Sequence, residues 1–450
     1  MTLSTPGAHA AAVLERGIGR RRLLQVSAAV GAGASVLGAC SAPTAPAAPT
    51  PSPAAGSGEI LQPGAGRIDG DHYLGSEPDA VLWGYVPTVG AEPALRMASG
   101  ETVTIDAVSH EGILEDQGRD PLAYFAEHGV AASEVLEDAV AIAAEYDRTP
   151  RDFAVDGPHV VTGPVFVDGA MPGDVLRIET LEATPRVPYG VVSSRHGKGA
   201  LAATADGGAP AGISAEQVMP PAAARATDDP DPTRWGNVST FTRIEDGSGV
   251  MDFAGGSARF PLRPFMGMMG VAFSEATDPT DPSANSIPPT LGGGNIDIRL
   301  LGEGSTFYLP VHTEGALFYV GDPHHAMGDG EVALTAMEGS LRGTFRLTVC
   351  KEGAGDAPSV AHRCPFAETA DAWIPIGLSD PDGGVGGQGG DLDVAMRTAV
   401  VNALDFLEQD LGMDRPTAYA YLSAAADFTI SQVVDRTVGV HGVIPKAHFA

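Results

Sequence analysis

Lysine is nearly missing from this 450-residue sequence, which holds only Lys198, Lys351 and Lys446. With 27 Lys and Arg against 57 Asp and Glu, the formal charge is −30. That balance leaves no basic face for phosphate and excludes nucleic acid as a partner. Such an acidic surface serves solubility and says little about a substrate. Cysteine is equally scarce: beyond Cys40, near the start, only Cys350 and Cys364 are present. Neither lies in a glycine-turn cluster of the kind that presents a nucleophilic thiol. In an oxidising exterior the two could pair, or they could be two buried thiols; sequence does not supply the geometry a disulfide needs. Long apolar runs are also lacking. The run from Leu23 to Ala39, broken by Gly and Ser, is too short to span a membrane comfortably. What the chain has in quantity is Gly, 58 residues, and Pro, 36 residues, which argue for many turns and against a long-helix architecture. A hydrophobic content of 43% with 19% charged residues is that of a globular protein with a large core.

The beginning of the chain reads as a targeting segment. Arg20, Arg21 and Arg22 precede the apolar run, which is the twin-arginine export pattern. Leu37-Gly38-Ala39-Cys40 resembles a bacterial lipobox, and the resemblance implies cleavage before Cys40 and a lipid on its sulfur. Residues 41–57 form a Pro/Ala/Ser/Thr tether with nothing to bury. The expected organisation is therefore a leader over 1–39, a tether over 40–66 and a folded body over 67–450. The mature protein would be exported and anchored by lipid to the outer face of a bacterial cytoplasmic membrane.

Within the body, Thr102–Asp106 is β-branched and reads as a strand. It delivers Ser109, His110 and Glu111 into a Ser-His-Glu-Gly loop, where a His beside carboxylates is a ligand candidate. Helices are expected over Pro121–His128 and Ser133–Tyr146, the second capped by Ser133 and serving packing. Val160–Val167 reads as a strand pair interrupted by Gly163-Pro164. Ser193–Ala200 holds His196 and Lys198 among glycines, as a loop near a site would. Late in the chain, Asp391–Leu411 has apolar residues at helical spacing, and Thr417–Asp427 reads as a second helix. Many strands followed by late helices indicate an α+β, mainly β protein.

The densest chemistry lies between Pro288 and Glu338. Asn295, Asp297, Glu303, Asp322, Asp329, Glu331, the pair His324-His325 and Glu338 are set among glycines and two strand-length apolar runs, Thr306–Val311 and Ala316–Val320. This spacing predicts polar groups at strand ends and in tight loops, held by a rigid sheet. His324, followed by two Gly-acid turns, is a candidate metal or acid/base cluster.

An ordered set of motifs over residues 68–449 resembles the acetamidase/formamidase family. It comprises Thr162-Gly163-Pro164 with Pro172-Gly173-Asp174, Pro264-Phe265-x-Gly267, Gly293-Gly294-Asn295-Ile296-Asp297, Leu309-Pro310-Val311 and Gly315-Ala316-Leu317. It continues through Gly321-Asp322-x-His324, Gly328-Asp329-Gly330-Glu331 and Thr335-Ala336-Met337-Glu338 to Ser431-Gln432-Val433-Val434-Asp435 and Gly442-x-Ile444-Pro445-Lys446. The resemblance implies a jelly-roll-like β-sandwich core with α/β additions, a homo-oligomer, and hydrolysis of short-chain amides to carboxylate and ammonia with a bound divalent metal. Met327 stands where the family pattern leads one to expect Gln, and His325 is an addition to it.

Amide hydrolysis needs a nucleophile, a polarised carbonyl and a proton for the leaving nitrogen. A Ser-Ser-Lys site would have to use Lys198 with Ser193 and Ser194. The richer supply of His and carboxylate favours metal-activated water, with zinc, or alternatively calcium, as the ion. The expected metal ligands are His110, Asp297 and His324. Glu338 would move the proton, while Asn295, His196 or backbone N–H groups would hold the carbonyl oxygen. The competing class is a tethered small-molecule-binding protein on the same scaffold without hydrolysis. Convergence of the His and carboxylate set on one pocket separates the two.

Overall fold

The structure is a computed structural model that describes residues 59–195, 198–202, 209–219, 237–381 and 390–449. The expected leader, Cys40, most of the tether and His196 lie outside these residues.

The short apolar runs form two sheets. The nine-stranded sheet runs, in spatial order, His72–Leu74, Thr102–Ala107, Leu341–Cys350, Val175–Pro185, Thr306–Pro310, Phe366–Glu368, Ala372–Leu378, Gly439–Pro445 and Asp427–Gln432. The main path of the other, eleven-stranded sheet runs Gly256–Pro261, Ser248–Phe253, Asn237–Glu245, Tyr189–Arg195, Met337–Glu338, Phe318–Ala326, Phe265–Val271 and Gly293–Asn295. Val160–Val167 branches from it by pairing with Phe318–Ala326. Most neighbours are antiparallel, as a sandwich of meanders and crossovers requires. One apolar core joins the two sheets. Ile105, Leu176, Leu309 and Phe345 from the first meet Val165, Met269, Phe318 and Val320 from the second. Phe318 and Phe345 touch edge to face across the gap, ring centres 5.8 Å apart. The α+β, mainly β class and the sandwich core follow from this arrangement.

Several local expectations change. Val160–Val167 is one continuous strand rather than two, because Gly163-Pro164 is accommodated inside the ladder. The strand expected over Ala316–Val320 starts at Phe318 and runs on to Ala326. Asp322, His324 and His325 thus lie inside a buried strand, not in a loop beyond its end. Ser133 caps nothing of the second helix, which spans Glu137–Glu145. The preceding Val135 and Leu136 are extended and buried, drawn into the core by their side chains.

The late helices are Leu392–Gln409 and Arg415–Ala425. Asp391 caps the first by accepting from the Asp393 and Val394 N–H groups, and Asp414 caps the second at Thr417. Ala395, Ala399 and Ala403 make the first helix's inner stripe. It lies so close to the sheet that a Cβ on Gly377 would sit 2.2 Å from the Ala399 nitrogen. The second helix ends before Asp427, which instead opens an edge strand.

The folded body begins before the expected boundary at 67. The Leu61 N–H donates to the Arg186 carbonyl at 2.9 Å, and the Arg342 guanidinium donates to the Gln62, Ala65 and Arg67 carbonyls. Cys350 and Cys364 are free thiols. Burial pushes them up to about 11 and about 12, so neither is a ready thiolate. Among the described residues no helix is long and apolar enough to cross a membrane.

Candidate functional site

The strand Phe318–Ala326 carries Phe318 and Val320 in the sandwich core, and two and four residues further on it carries Asp322 and His324. Around these two residues the structure collects groups from distant parts of the chain. His324 Nε2 lies 3.0 Å from Asp322 Oδ2, 3.1 Å from Glu338 Oε1 and 3.8 Å from Glu331 Oε1. His324 Nδ1 is 3.9 Å from Asp297 Oδ1. On the other side of Asp322, its Oδ1 is 3.7 Å from both His110 Nδ1 and His159 Nε2. Four overlapping trios have ligand-type atoms within 4.8 Å of one another: His110-His159-Asp322, Asp297-Asp322-His324, His324-Glu331-Glu338 and Asp297-Glu331-Asp435. All of these residues are buried except Asp435, which is half-buried.

Local structure fixes each group. Phe265 holds the His324 ring edge-on with ring centres 4.9 Å apart. His159 Nδ1 pairs with Ser286 Oγ at 3.0 Å, which leaves Nε2 for Asp322. Glu338 accepts the Ala336 N–H at 3.0 Å, and Glu111, beside His110, accepts from Ser193 Oγ at 2.5 Å. Gly267 must lack a side chain, because a Cβ there would meet Asp297 Oδ1 at 2.5 Å, His324 Cε1 at 2.6 Å and Asp322 Oδ2 at 2.8 Å. Asp297, Asp322, Glu331 and Asp435 all hold left-handed backbone, with φ of 48°, 49°, 45° and 65°. L-residues avoid this region, and such strain gathers at functional sites.

The electrostatics are those of a crowded, dry acid cluster. Burial, then repulsion from Asp435 and Asp322, raises the Asp297 carboxyl well above the usual range. Glu331 and Asp435 are raised well above it for the same kind of reason. Burial pushes Glu338 up to about 7 against the pull of His324. Asp322 goes the other way. Burial opposes its charge, but His324, His159 and His110 together hold it below its ordinary value. Burial would lower His324, yet the Glu338 and Asp322 carboxylates carry it well above its ordinary value. His159 is lowered to about 4, chiefly by burial.

Many of these atoms lack a partner. Among the described residues both Asp297 oxygens, Asp322 Oδ1, Glu338 Oε2, His110 Nδ1 and both His324 nitrogens are buried without a hydrogen bond. Unsatisfied buried charge is costly, and a divalent cation is the group that satisfies several carboxylate oxygens and imidazole nitrogens at once. The donor set fits such an ion.

Of the residues expected from sequence, His110, Asp297, His324 and Glu338 come together. Asn295 lies on the neighbouring Gly293–Asn295 strand. Its Nδ2 donates to the Ile287 carbonyl at 3.1 Å, while Oδ1 is buried without a partner. The atom it leaves free is therefore an acceptor, unlike the donor expected for a carbonyl oxygen. His196 lies outside the described residues. His325 faces away from the cluster, near the Ser340 carbonyl at 3.3 Å, and burial lowers it to about 4. Sequence reasoning gave no role to His159, Asp322, Glu331 or Asp435. His159 follows Asp156-Gly157-Pro158 but stands in none of the motifs quoted above, so nothing singled it out. The other three stand in the motifs quoted above, so the signal was present for them without a basis for ranking it.

Residues 263–450 match the model of the Acetamidase/Formamidase family. A formamidase of Methylophilus methylotrophus is 31% identical over 160 residues, 34% of this chain and 38% of the relative. An acetamidase of Mycolicibacterium smegmatis is 45% identical over 49 residues, 11% of this chain and 12% of the relative. The matched segments thus span well under two thirds of those relatives' lengths. Two solved structures share the fold. An acetamidase from Yersinia enterocolitica superposes with a TM-score of 0.59 at 21% identity, covering 84% of this chain and 93% of its own. An acetamidase from Bacillus halodurans gives 0.56 at 23% identity, covering 84% and 98%.

Proposed function

We propose that this chain, which belongs to the acetamidase/formamidase family, hydrolyses short-chain amides of the formamide and acetamide type to carboxylate and ammonia. The observation that carries this reading is convergence. Residues as far apart in sequence as His110 and Asp435 supply one buried set of His and carboxylate groups spaced for proton transfer and cation binding. A tethered binding protein without hydrolysis has no need of a buried carboxylate, pushed up to about 7, beside a histidine.

His110, His159, Asp322, Asp297 and His324 would hold the ion, zinc by the presence of imidazole, with calcium as the alternative where carboxylates dominate. Such an ion, when bound, polarises the amide carbonyl and lowers the pKa of water. Glu338, at 3.1 Å from His324, takes a proton from the attacking water and returns it to the leaving nitrogen. Asn295 Oδ1 accepts an N–H of the amide and orients the nitrogen. The balance is one water in, with the C–N bond broken and a C–O bond formed.

The test is ammonia release by the purified mature chain from formamide, acetamide and propionamide, with chelator and with zinc restored. Release that chelator stops and zinc restores supports the reading. No release from any amide by folded, zinc-loaded protein overturns it. Twin-arginine export, a lipid on Cys40 and assembly of several copies complete the proposal. The mass of the membrane-fraction protein and its sedimentation check them.

A further inference from the structure

Beside Glu338 the structure holds a small, mainly apolar cavity of about 20 Å³. Its apolar walls are Phe125, Val135, Leu136, Ala139, Tyr189 and Val191, and its polar lining is Glu111 and Glu338 with Ser109 and Ser340, whose hydroxyl oxygens accept the Glu111 and Ser109 N–H groups. The Tyr189 hydroxyl donates to the Glu134 carbonyl at 3.0 Å, so it offers the cavity no donor. Val191, Leu136 and Val135 are 1%, 2% and 3% exposed, which makes the walls part of the packed core and unable to retreat cheaply. The space takes the centre of one group the size of water or a methyl.

We propose that this cavity receives the carbon substituent of the amide, and that the helical segment Pro121–Glu145 thereby sets the chain-length limit of the substrate. The inference rests on the amide-hydrolase reading. Hydrocarbon walls cannot hydrogen-bond an amide, so a substrate here turns its C–N end toward Glu338 and His324 and its alkyl end toward Leu136 and Val191. A hydrogen or a methyl fits. Each further methylene displaces packed side chains and lowers kcat/KM by about 10- to 200-fold. The extended Val135-Leu136 stretch, which separates the helix from the turn holding Ser133, is what brings these two side chains to the cavity.

The experiment compares kcat/KM for formamide, acetamide, propionamide and butyramide in the zinc-loaded full chain and in two variants. Leu136→Ala enlarges the cavity and should raise the butyramide-to-formamide ratio about tenfold. Ala139→Val fills it and should lower the acetamide-to-formamide ratio by a similar factor. Opposite shifts in two variants that melt cooperatively are not produced by general loosening of the fold. Unchanged ratios in both, with the parent active, overturn this inference and leave the hydrolase reading standing. No turnover of any amide by the parent overturns the hydrolase reading and this inference with it.

Discussion

His324 and Glu338 are direct cross-strand partners, and their side chains meet at 3.1 Å although fourteen positions separate them in the chain. The ladder register, rather than a flexible loop, sets that distance, so the pair is held ready with little to reorganise. Glu338→Gln keeps the side-chain oxygen that accepts the Ala336 N–H but cannot take a proton. It should lower kcat by about 10²- to 10⁴-fold while the melting temperature stays equal or rises. Parent-like turnover in the folded variant removes Glu338 from the mechanism.

Ion binding should stabilise the fold and release protons. Burial and mutual repulsion raise the Asp297, Glu331 and Asp435 carboxyls well above the usual range, so a cation competes with protons for them and affinity rises with pH. Zinc at one hundred times its Kd should add about 2.7 kcal/mol to unfolding, read as a higher melting temperature. A weakly buffered titration should acidify. Asp297→Asn should abolish both effects and, without zinc, melt no lower than the parent.

Gly267→Ala tests the site by volume alone. The added methyl carries no charge, yet it lands on the Asp297, His324 and Asp322 side chains. Activity and the zinc-induced thermal shift should both be lost. Retention of both would mean that these side chains can rearrange freely.

His441 provides a pH lever outside the cluster. It is buried against Ser431, Nδ1 to Oγ 2.9 Å, and burial lowers it to about 4. An unfolded histidine titrates near 6.5, so between these values the unfolded chain takes up a proton that the folded one refuses. Stability is full above about pH 6.5 and falls as the pH drops toward 4, by roughly 3 kcal/mol for this one group. His441→Asn should flatten the slope of melting temperature against pH over that range, and an unchanged slope would assign the loss to other groups.

The class of the fold was legible in the sequence because strand-length apolar runs punctuated by glycine and proline leave few alternatives. Asp391 and the stripe it introduces likewise marked the Leu392–Gln409 helix. Strand ends were less readable. A run that appeared to stop at Val320 continues through Asp322 and His324, because polar residues are tolerated in a buried strand when they face one another. Within the site, His110, Asp297, His324 and Glu338 were found by their glycine-rich surroundings. His159 was not, since only the pairing of Val160–Val167 with Phe318–Ala326 carries it to Asp322. The helical segment Pro121–Glu145 reads as packing from its stripe, and only the three-dimensional arrangement shows that its packing face borders Glu338.

The left-handed backbone at Asp297, Asp322, Glu331 and Asp435 has a consequence for descent. Each of these residues sits where glycine or asparagine would be more comfortable, by about 1 kcal/mol, and each adds an acid to an already crowded cluster. Selection for heat resistance alone would strip these four positions before it touched the hydrophobic interior. A copy of this chain relieved of its chemistry would show the change there first, as glycines and asparagines accumulating at sites where the present protein keeps its acids.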